Sequence, residues 1–388
     1  MPAAAGLAAL GRTSRGGTVR IGYVIGGLGR GGAELQLMRL ATAMSGRRHH
    51  VELLTYDGPS EFDESLRMEG VHVLSHECRG RFEKARRVRG WMRSRNLDVV
   101  HAVMKRASTL AVIARGLRRR PRVIATDMSA ASYKGNTFVV RASLLAFAAA
   151  DLVVTQTETN RQSIARLAPW LRGKVEIVRN GLDVDRFSPS EVAQGPGSGV
   201  FRFCAVGTVY RVKNPVRVVE ACAELRRRGV GPFRFDWYGR IWENAVGPGA
   251  GSTGVRELVG RMGLEGIVNF HGETAEVENA YRNADALVHV SIQEGFPNAV
   301  AEGMSCGLPV IVSRVSDLPL VVQAARNGFV CDESSVAAIA DAMERMMRLS
   351  REERASMGQS SRHLALEWFH MDRFLGQFES LYRRLAEA

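Results

Sequence analysis

Short apolar runs rich in Val recur along this chain, and each is followed by a stretch with apolar residues every three to four positions. In the first half the runs are "VRIGYVIGG", "HVELLTY", "VHVLS", "DVVHAV", "RVIAT", "LVVTQ" and "VEIVRN". In the second they are "FRFCAVG", "FRFDWYG", "IVNFHG", "ALVHVS", "PVIVS" and "GFVC". Apolar strands that alternate with helices imply parallel sheets covered on both faces. The pattern also begins twice: Val19–Gly27 runs into a glycine-rich turn and a helical stretch, and Phe201–Gly207 does the same. The second of these helices carries Pro215 at its first position and Gly229 past its end, the usual start and stop signals. Ser188–Gly199, "SPSEVAQGPGSG", is polar and rich in Gly, Pro and Ser, the composition of a linker.

At 388 residues the chain is too long for one ordinary core. The reading is an α/β protein of two doubly wound, Rossmann-like domains facing a cleft. Residues 1–17 are expected as a disordered leader, 18–187 as the first domain, 188–199 as the linker and 200–367 as the second domain. The helical stretch 368–388 is assigned to the first domain. In such sheets ligands sit beyond the carboxyl ends of the strands.

Composition narrows the setting. Apolar residues make up 45% and charged ones 24%, as in a globular protein, and no apolar run has the length of a membrane span. The N-terminus lacks the apolar core of a signal peptide. Five scattered cysteines without a C-x-x-C pair suit reduced thiols in the cytoplasm and offer no metal cluster. Residues 1–184 contain 30 Lys and Arg against 15 Asp and Glu, a net +15, which leaves −2 for the remainder of a chain whose total is +13. A basic first half suggests an anionic partner. The densest segment, Arg79–Arg95 ("RGRFEKARRVRGWMRSR"), has Phe82, Ala85, Val88 and Trp91–Met92 at helical spacing with cations on the other face. Such a helix either packs on the core with a solvated Arg face or lies on an anionic membrane, peripherally. Nucleic acid is not expected, because no recognition module accompanies the charge.

The turns carry the chemistry. "GGLGRGGAE" (Gly26–Glu34) follows a strand and opens a helix; its glycines fit a dinucleotide fingerprint, with Asp57 placed for a ribose, but the spacing alone is weak. "GTVYRVKNP" (Gly207–Pro215) puts Arg211 and Lys213 before a helix, where cations and free amides make an anion site. "SIQEGFPNAVAEGMSCGLPV" (Ser291–Val310) places Pro297 at the first position of a helix, with Phe296 as its cap and the amides of Asn298 and Ala299 exposed. Glu294 stands on the loop before it, and Glu302 shares a helical face with Asn298. A ligand over this tip would meet amides in its middle and a carboxylate at each end. That matches a nucleotide sugar, with ribose diol, diphosphate and hexose. Capping by Glu302 and solvation of Glu294 is the competing reading. His101 ends a strand on the cleft side, where a His is as often structural as functional; with Lys105 it is the candidate for touching an acceptor. Asp183 and Asp185, "DVD", imitate a metal motif but sit in the closing segment of the first domain.

"EGFPNAVAEGMSCGLPVIVS" resembles the signature of the retaining glycosyltransferases of family 4, which have the GT-B fold. "GGLGRGGAE", "VEIVRNGLDVDRFSP" and "FHGETAEVENAYRNADALVHVS" resemble that family in the same order, from about Val19 to the end. The resemblance implies that Glu302 holds the ribose, Glu294 meets hydroxyls of the transferred sugar, and the amides of Phe296, Asn298 and Ala299 meet sugar and diphosphate. Arg211 and Lys213 would neutralise the leaving diphosphate. Gly31 and Gly32 would let the backbone approach donor and acceptor. It implies no metal and no cofactor beyond the donor. The final helix would cross back, with Trp368, Phe369, Phe374, Phe378 and Tyr382 docking on the first domain. Three departures stand out: Thr208 where the family often has Arg, Asp127 where it often has His near the sugar, and Leu320 where it often has Glu. The function expected is transfer of a sugar from a UDP- or GDP-sugar to a lipid-linked, saccharide or small-molecule acceptor. An idle nucleotide-sugar binding subunit is the rival.

Overall fold

The computed structural model describes residues 17–29, 31–128, 137–190, 199–242 and 252–388. The expected leader, apart from Gly17, and most of the expected linker lie outside them. The first sheet contains β1 (Arg20–Ile25), β2 (His50–Thr55), β3 (His72–Ser75), β4 (Val99–Ala102), β5 (Arg122–Asp127), β6 (Leu152–Thr155) and β7 (Val175–Ile177), in the order β3-β2-β1-β4-β5-β6-β7. The second contains β8 (Phe201–Val206), β9 (Phe233–Tyr238), β10 (Val268–Gly272), β11 (Ala286–His289), β12 (Val310–Ser313) and β13 (Gly328–Cys331), in the order β10-β9-β8-β11-β12-β13. All the registered pairs are parallel. Every strand lies within one of the expected runs except β5, which extends one residue past its run to Asp127.

Both sheets share one order, with the first strand between the second and fourth. Direction of progress therefore reverses between β1 and β4, and again between β8 and β11. Connections leave to opposite faces at these points and open a crevice at the carboxyl ends. The second sheet is packed on both faces. Phe203, Phe235, Trp237, Val288 and Ile311 meet the helices Pro215–Arg227 and Val336–Arg348 on one side. Leu287, Val310 and Val312 meet the helices Asn298–Ser305 and Arg351–Phe369 on the other. The helix Pro215–Arg227 ends as expected: Gly229 takes φ +65° and its N–H reaches the Arg226 carbonyl, while Val230 N–H reaches that of Leu225.

The chain divides into two compact units, one reaching to Ala125 and including Phe378–Ala388, the other Thr126–Gln377. In the first unit the last residues pack on β1 and β4. Phe378 lies 5.0 Å from the His101 ring, and Tyr382 Oη lies 2.8 Å from His101 Nδ1. Glu379 binds Arg47 at 2.6 Å. The expected aromatic dock is split between the units. Phe378 and Tyr382 belong to the first, whereas Phe369 packs 4.9 Å from Phe296 in the core of the second, and Trp368 lies under the Arg179 guanidinium at 4.2 Å. The physical reason is a break at His370, which pairs with Leu182 as an isolated bridge and ends one helix before Met371 starts the next.

Candidate active site

The site is built at the reversal point of the second sheet. After β8 the chain turns at Gly207, with φ +138°, and forms a single 3-10 turn, Arg211–Lys213. A Cβ on the facing Gly239 would fall 2.2 Å from the Gly207 carbonyl oxygen, so the two strand ends can approach only with glycine at 239. Asn214 follows in the left-handed region at φ +62°, and its side-chain amide donates to the carbonyls of Val290 and Glu333. These bonds tie the Lys213 turn to the ends of β11 and β13. A second tie runs from Ile292 N–H to the Val212 carbonyl at 2.8 Å.

The two loops bring Lys213 and Glu294 together. Lys213 Nζ lies 2.6 Å from Glu294 Oε1, and His289 Nε2 lies 3.0 Å from the same oxygen. Burial pushes the Glu294 carboxyl up, but the His289 hydrogen bond and the Lys213 charge outweigh it and hold the carboxyl down at about 2. Glu294 is therefore ionised at neutral pH and can only accept. Its partner Nε2 must carry the proton, which fixes the His289 tautomer. Burial, then the Lys213 charge, keeps His289 below its ordinary range against the pull of Glu294. Ser291 Oγ, 3.1 Å from Nε2, completes the cluster. Both contacts fall on Oε1, so among the described residues Oε2 is left to accept from something else.

The loop then passes Gly295, where a Cβ would sit 2.2 Å from the Met128 carbonyl oxygen. The Ser316 hydroxyl donates to the Gly295 carbonyl. The helix runs Asn298–Ser305 with Pro297 as its N-cap, one residue later than the sequence suggested. The cause is Pro297's ψ of +117°, which is extended rather than helical. The amides of Asn298 and Ala299 remain in the first turn, where helix geometry supplies no acceptor. Phe296 is 8% exposed, with its ring in the core, so it can offer its backbone and not its side chain. Asn298 Oδ1 accepts from Asn180 at 2.7 Å, and Asn180 Oδ1 in turn accepts from Gln156 at 2.5 Å. One turn on, Glu302 Oε2 accepts from Tyr281 Oη at 2.7 Å.

Lys213, Glu294, Asn298 and Glu302 thus occupy adjoining loops and one helix of the second unit. Arg211 is exposed at the start of its turn, apart from the Lys213–Glu294 pair. Asp127 ends β5 one residue before Met128. It is fully buried, with Asn160 donating to its backbone carbonyl. His101 is corrected to a core residue of the first unit. It is 2% exposed, ringed by Tyr23, Phe378 and Tyr382, and burial lowers its basicity to about 3. A group so enclosed has no surface for an acceptor. Lys105 opens the helix Lys105–Arg115 after β4, and Gly31 caps the helix Gly32–Gly46 after β1. Lys105, Gly31 and Gly32 therefore mark the first sheet's own reversal point. Gly31 has an ordinary φ of −72° and only the flexible Glu34 carboxylate where a Cβ would go. Asp57 pairs with Lys84, and Asp183 accepts from the Arg186 amide. Leu320 is 38% exposed in the helix Leu318–Ala325.

Sequence reasoning did not single out His289, Ser291, Tyr281, Asn180, Gln156 or Asn214. The first two had a signal: His and Ser at alternate positions of the otherwise apolar run "ALVHVS", at and just past the end of β11. The others act through partners far along the chain.

Two doubly wound parallel sheets of one order, with an anion-ready crevice on the second, define the GT-B class of fold. Sequence profiles agree: "Glycosyltransferase Family 4" matches residues 30–186 and "Glycosyl transferases group 1" matches 192–364. The chain belongs to these glycosyltransferases. It is 31% identical over 194 residues to D-inositol 3-phosphate glycosyltransferase 2 of Catenulispora acidiphila, covering 46% of this chain and 44% of that one. It is 28% identical over 222 residues to the putative colanic acid biosynthesis glycosyltransferase WcaL of Escherichia coli, covering 55% and 52%. The chain thus spans about half the length of these curated relatives. Among solved structures, Anabaena HepE in complex with UDP superposes with a TM-score of 0.81 at 17% identity, over 94% of this chain and all of that one. A glycosyltransferase of Rickettsia africae gives 0.79 at 17%, over 95% and 98%. Identities this low speak for the fold alone.

Proposed function

We propose that the protein is a retaining glycosyltransferase. It moves a sugar from a UDP- or GDP-sugar to an acceptor hydroxyl, without a metal, in the building of a cell-surface polysaccharide or glycolipid. The observation that supports this most is the sharing of Glu294 Oε1 by Lys213 and His289 beside the helix tip at Asn298. Lys213 has three N–H donors and gives one to Glu294, so two remain for a diphosphate. Ionised Glu294 keeps Oε2 for sugar hydroxyls and cannot serve as an acid at neutral pH. Glu302, held by Tyr281, suits a ribose diol.

In the transfer, the acceptor oxygen bonds to the anomeric carbon on the face from which the phosphate oxygen departs. The carbon–phosphate-oxygen bond breaks with its electrons going to the diphosphate, and the departing oxygen takes the acceptor's proton. The protein's part is positioning and charge stabilisation. HepE, of the same fold, was solved with UDP-glucose, which makes UDP the first donor base to try.

Calorimetry with UDP and GDP tests the reading. Lys213→Ala and Glu302→Ala should each weaken binding about 10-fold or more, the usual loss for a charged hydrogen bond. Glu294→Gln should leave UDP affinity near wild type and slow turnover, because UDP carries no sugar. Product NMR should show the donor's anomeric configuration kept, with turnover unaffected by a chelator. Unchanged affinity in both binding variants would overturn the assignment. Nucleotide binding with no turnover of any donor, even by hydrolysis, would leave an idle binding subunit.

A further inference from the structure

The helix Arg81–Ser94 buries Val88, Trp91 and Met92 against the first sheet. Phe82, expected on that apolar face, instead points out and is 94% exposed. With Arg86, Arg89 and Arg93 it forms the series i, i+4, i+7, i+11, a single stripe along the solvent side. All three arginines are exposed. The next helix, Lys105–Arg115, packs beside this one and ends at Gly116, whose φ of +64° turns the chain so that Leu117 stands fully exposed. Arg118 follows, close enough to Arg93 that the Arg89 charge, slight desolvation and the Arg118 charge depress the Arg93 guanidinium's proton affinity. Among the described residues no acid pairs with Arg86, Arg89, Arg93 or Arg118, although the neighbouring Arg120 pairs with Asp98.

The cations therefore repel one another across a surface that has an apolar side chain at each end. Eleven helical residues separate Phe82 from Arg93, roughly 16 Å. On the helix's flank a cavity of about 430 Å³ has Arg86, Arg87 and Arg95 in its wall and Glu83 as the one acid. Charge alone would suit any polyanion. A base could stack on Phe82, but the aliphatic Leu117 finds no comparable partner on a nucleic acid or acidic glycan, so the pair among the cations favours a lipid surface.

We propose that this face of the first unit docks on an anionic membrane, with Arg86, Arg89, Arg93 and Arg118 meeting lipid phosphates and Phe82 and Leu117 entering the headgroup–acyl boundary. The inference deepens the function proposed above by naming where a lipid-linked acceptor is met, and for that use it rests on that reading. Flotation of the full chain with vesicles tests it. The chain should bind vesicles of phosphatidylcholine with phosphatidylglycerol, not phosphatidylcholine alone, and release in high salt. Arg86→Gln, Arg89→Gln and Arg93→Gln together should weaken binding on the order of a hundredfold, at about fivefold per cation. Phe82→Ser with Leu117→Ser should weaken it while keeping the salt dependence. Equal binding to neutral vesicles, no binding, or binding unchanged by the triple variant would overturn the proposal. So would vesicle binding indifferent to the Phe82 and Leu117 changes alongside equal affinity for DNA. UDP calorimetry on the same variants should match wild type. Loss of UDP binding by the unaltered chain would sink the transferase reading instead, and vesicle binding would stand apart from it.

Discussion

Glu294 shares one oxygen between a lysine and a histidine, and its titration follows from that company. Its ordinary value is 4.5 and the cluster lowers it to about 2. A carboxyl lowered on folding contributes stability above the ordinary value, and loses it as pH falls through the lowered one. The second unit should therefore lose stability between about pH 4.5 and 2 as Glu294 takes up a proton. Replacing Lys213 with Met removes a charge that now lowers both groups. His289 should then titrate at higher pH, and Glu294 should move up towards its ordinary value. NMR of the His289 ring through a pH series reads this directly, and an unmoved His289 midpoint would contradict the cluster's electrostatics.

Elements here work by fixing where a loop begins. Asn214 joins the Lys213 turn to the helix Pro215–Arg227 and sits at φ +62°. A non-glycine residue in that region without side-chain support costs about 1–2 kcal/mol, and each lost hydrogen bond adds about 1 kcal/mol. Asn214→Ala, which loses two such bonds, should thus destabilise the second unit by about 3–4 kcal/mol. Asn214→Gly removes the strain, loses only the bonds to Val290 and Glu333, and should be milder. Urea unfolding should rank the two variants in that order; the reverse order would mean that strain does not matter there. The helix Asn298–Ser305 teaches a smaller lesson. Pro297 was legible as a start signal, but whether it serves as cap or first helical residue depends on ψ, which proline leaves open.

At the scale of the whole molecule, the last residues of the chain complete the core in which its first strand lies. Phe378 and Tyr382 close over His101 and Tyr23, and the Tyr382–His101 hydrogen bond spans 281 residues of chain. Phe378→Ala should cost the first unit about 3–5 kcal/mol, as for a large aromatic removed from a core, and Tyr382→Phe about 1 kcal/mol. Denaturant midpoints measure both, and a wild-type midpoint for Phe378→Ala would show that the contact carries no stability.

Local pattern determined the strands of the described residues, their alternation with helices, the turns that carry Lys213 and Glu294, and the helix that carries Glu302. Each of these is written in neighbouring residues: apolar periodicity, glycines at strand ends, a proline before a helix. Tertiary structure alone decided which polar groups meet. His289 and Lys213 share a carboxylate because the second sheet reverses direction between β8 and β11. Tyr281 finds Glu302 across a helix pair, and His101 is sealed by a tyrosine from the far end of the chain. Pairings at such separations depend on how elements pack, and no spacing within the sequence encodes them.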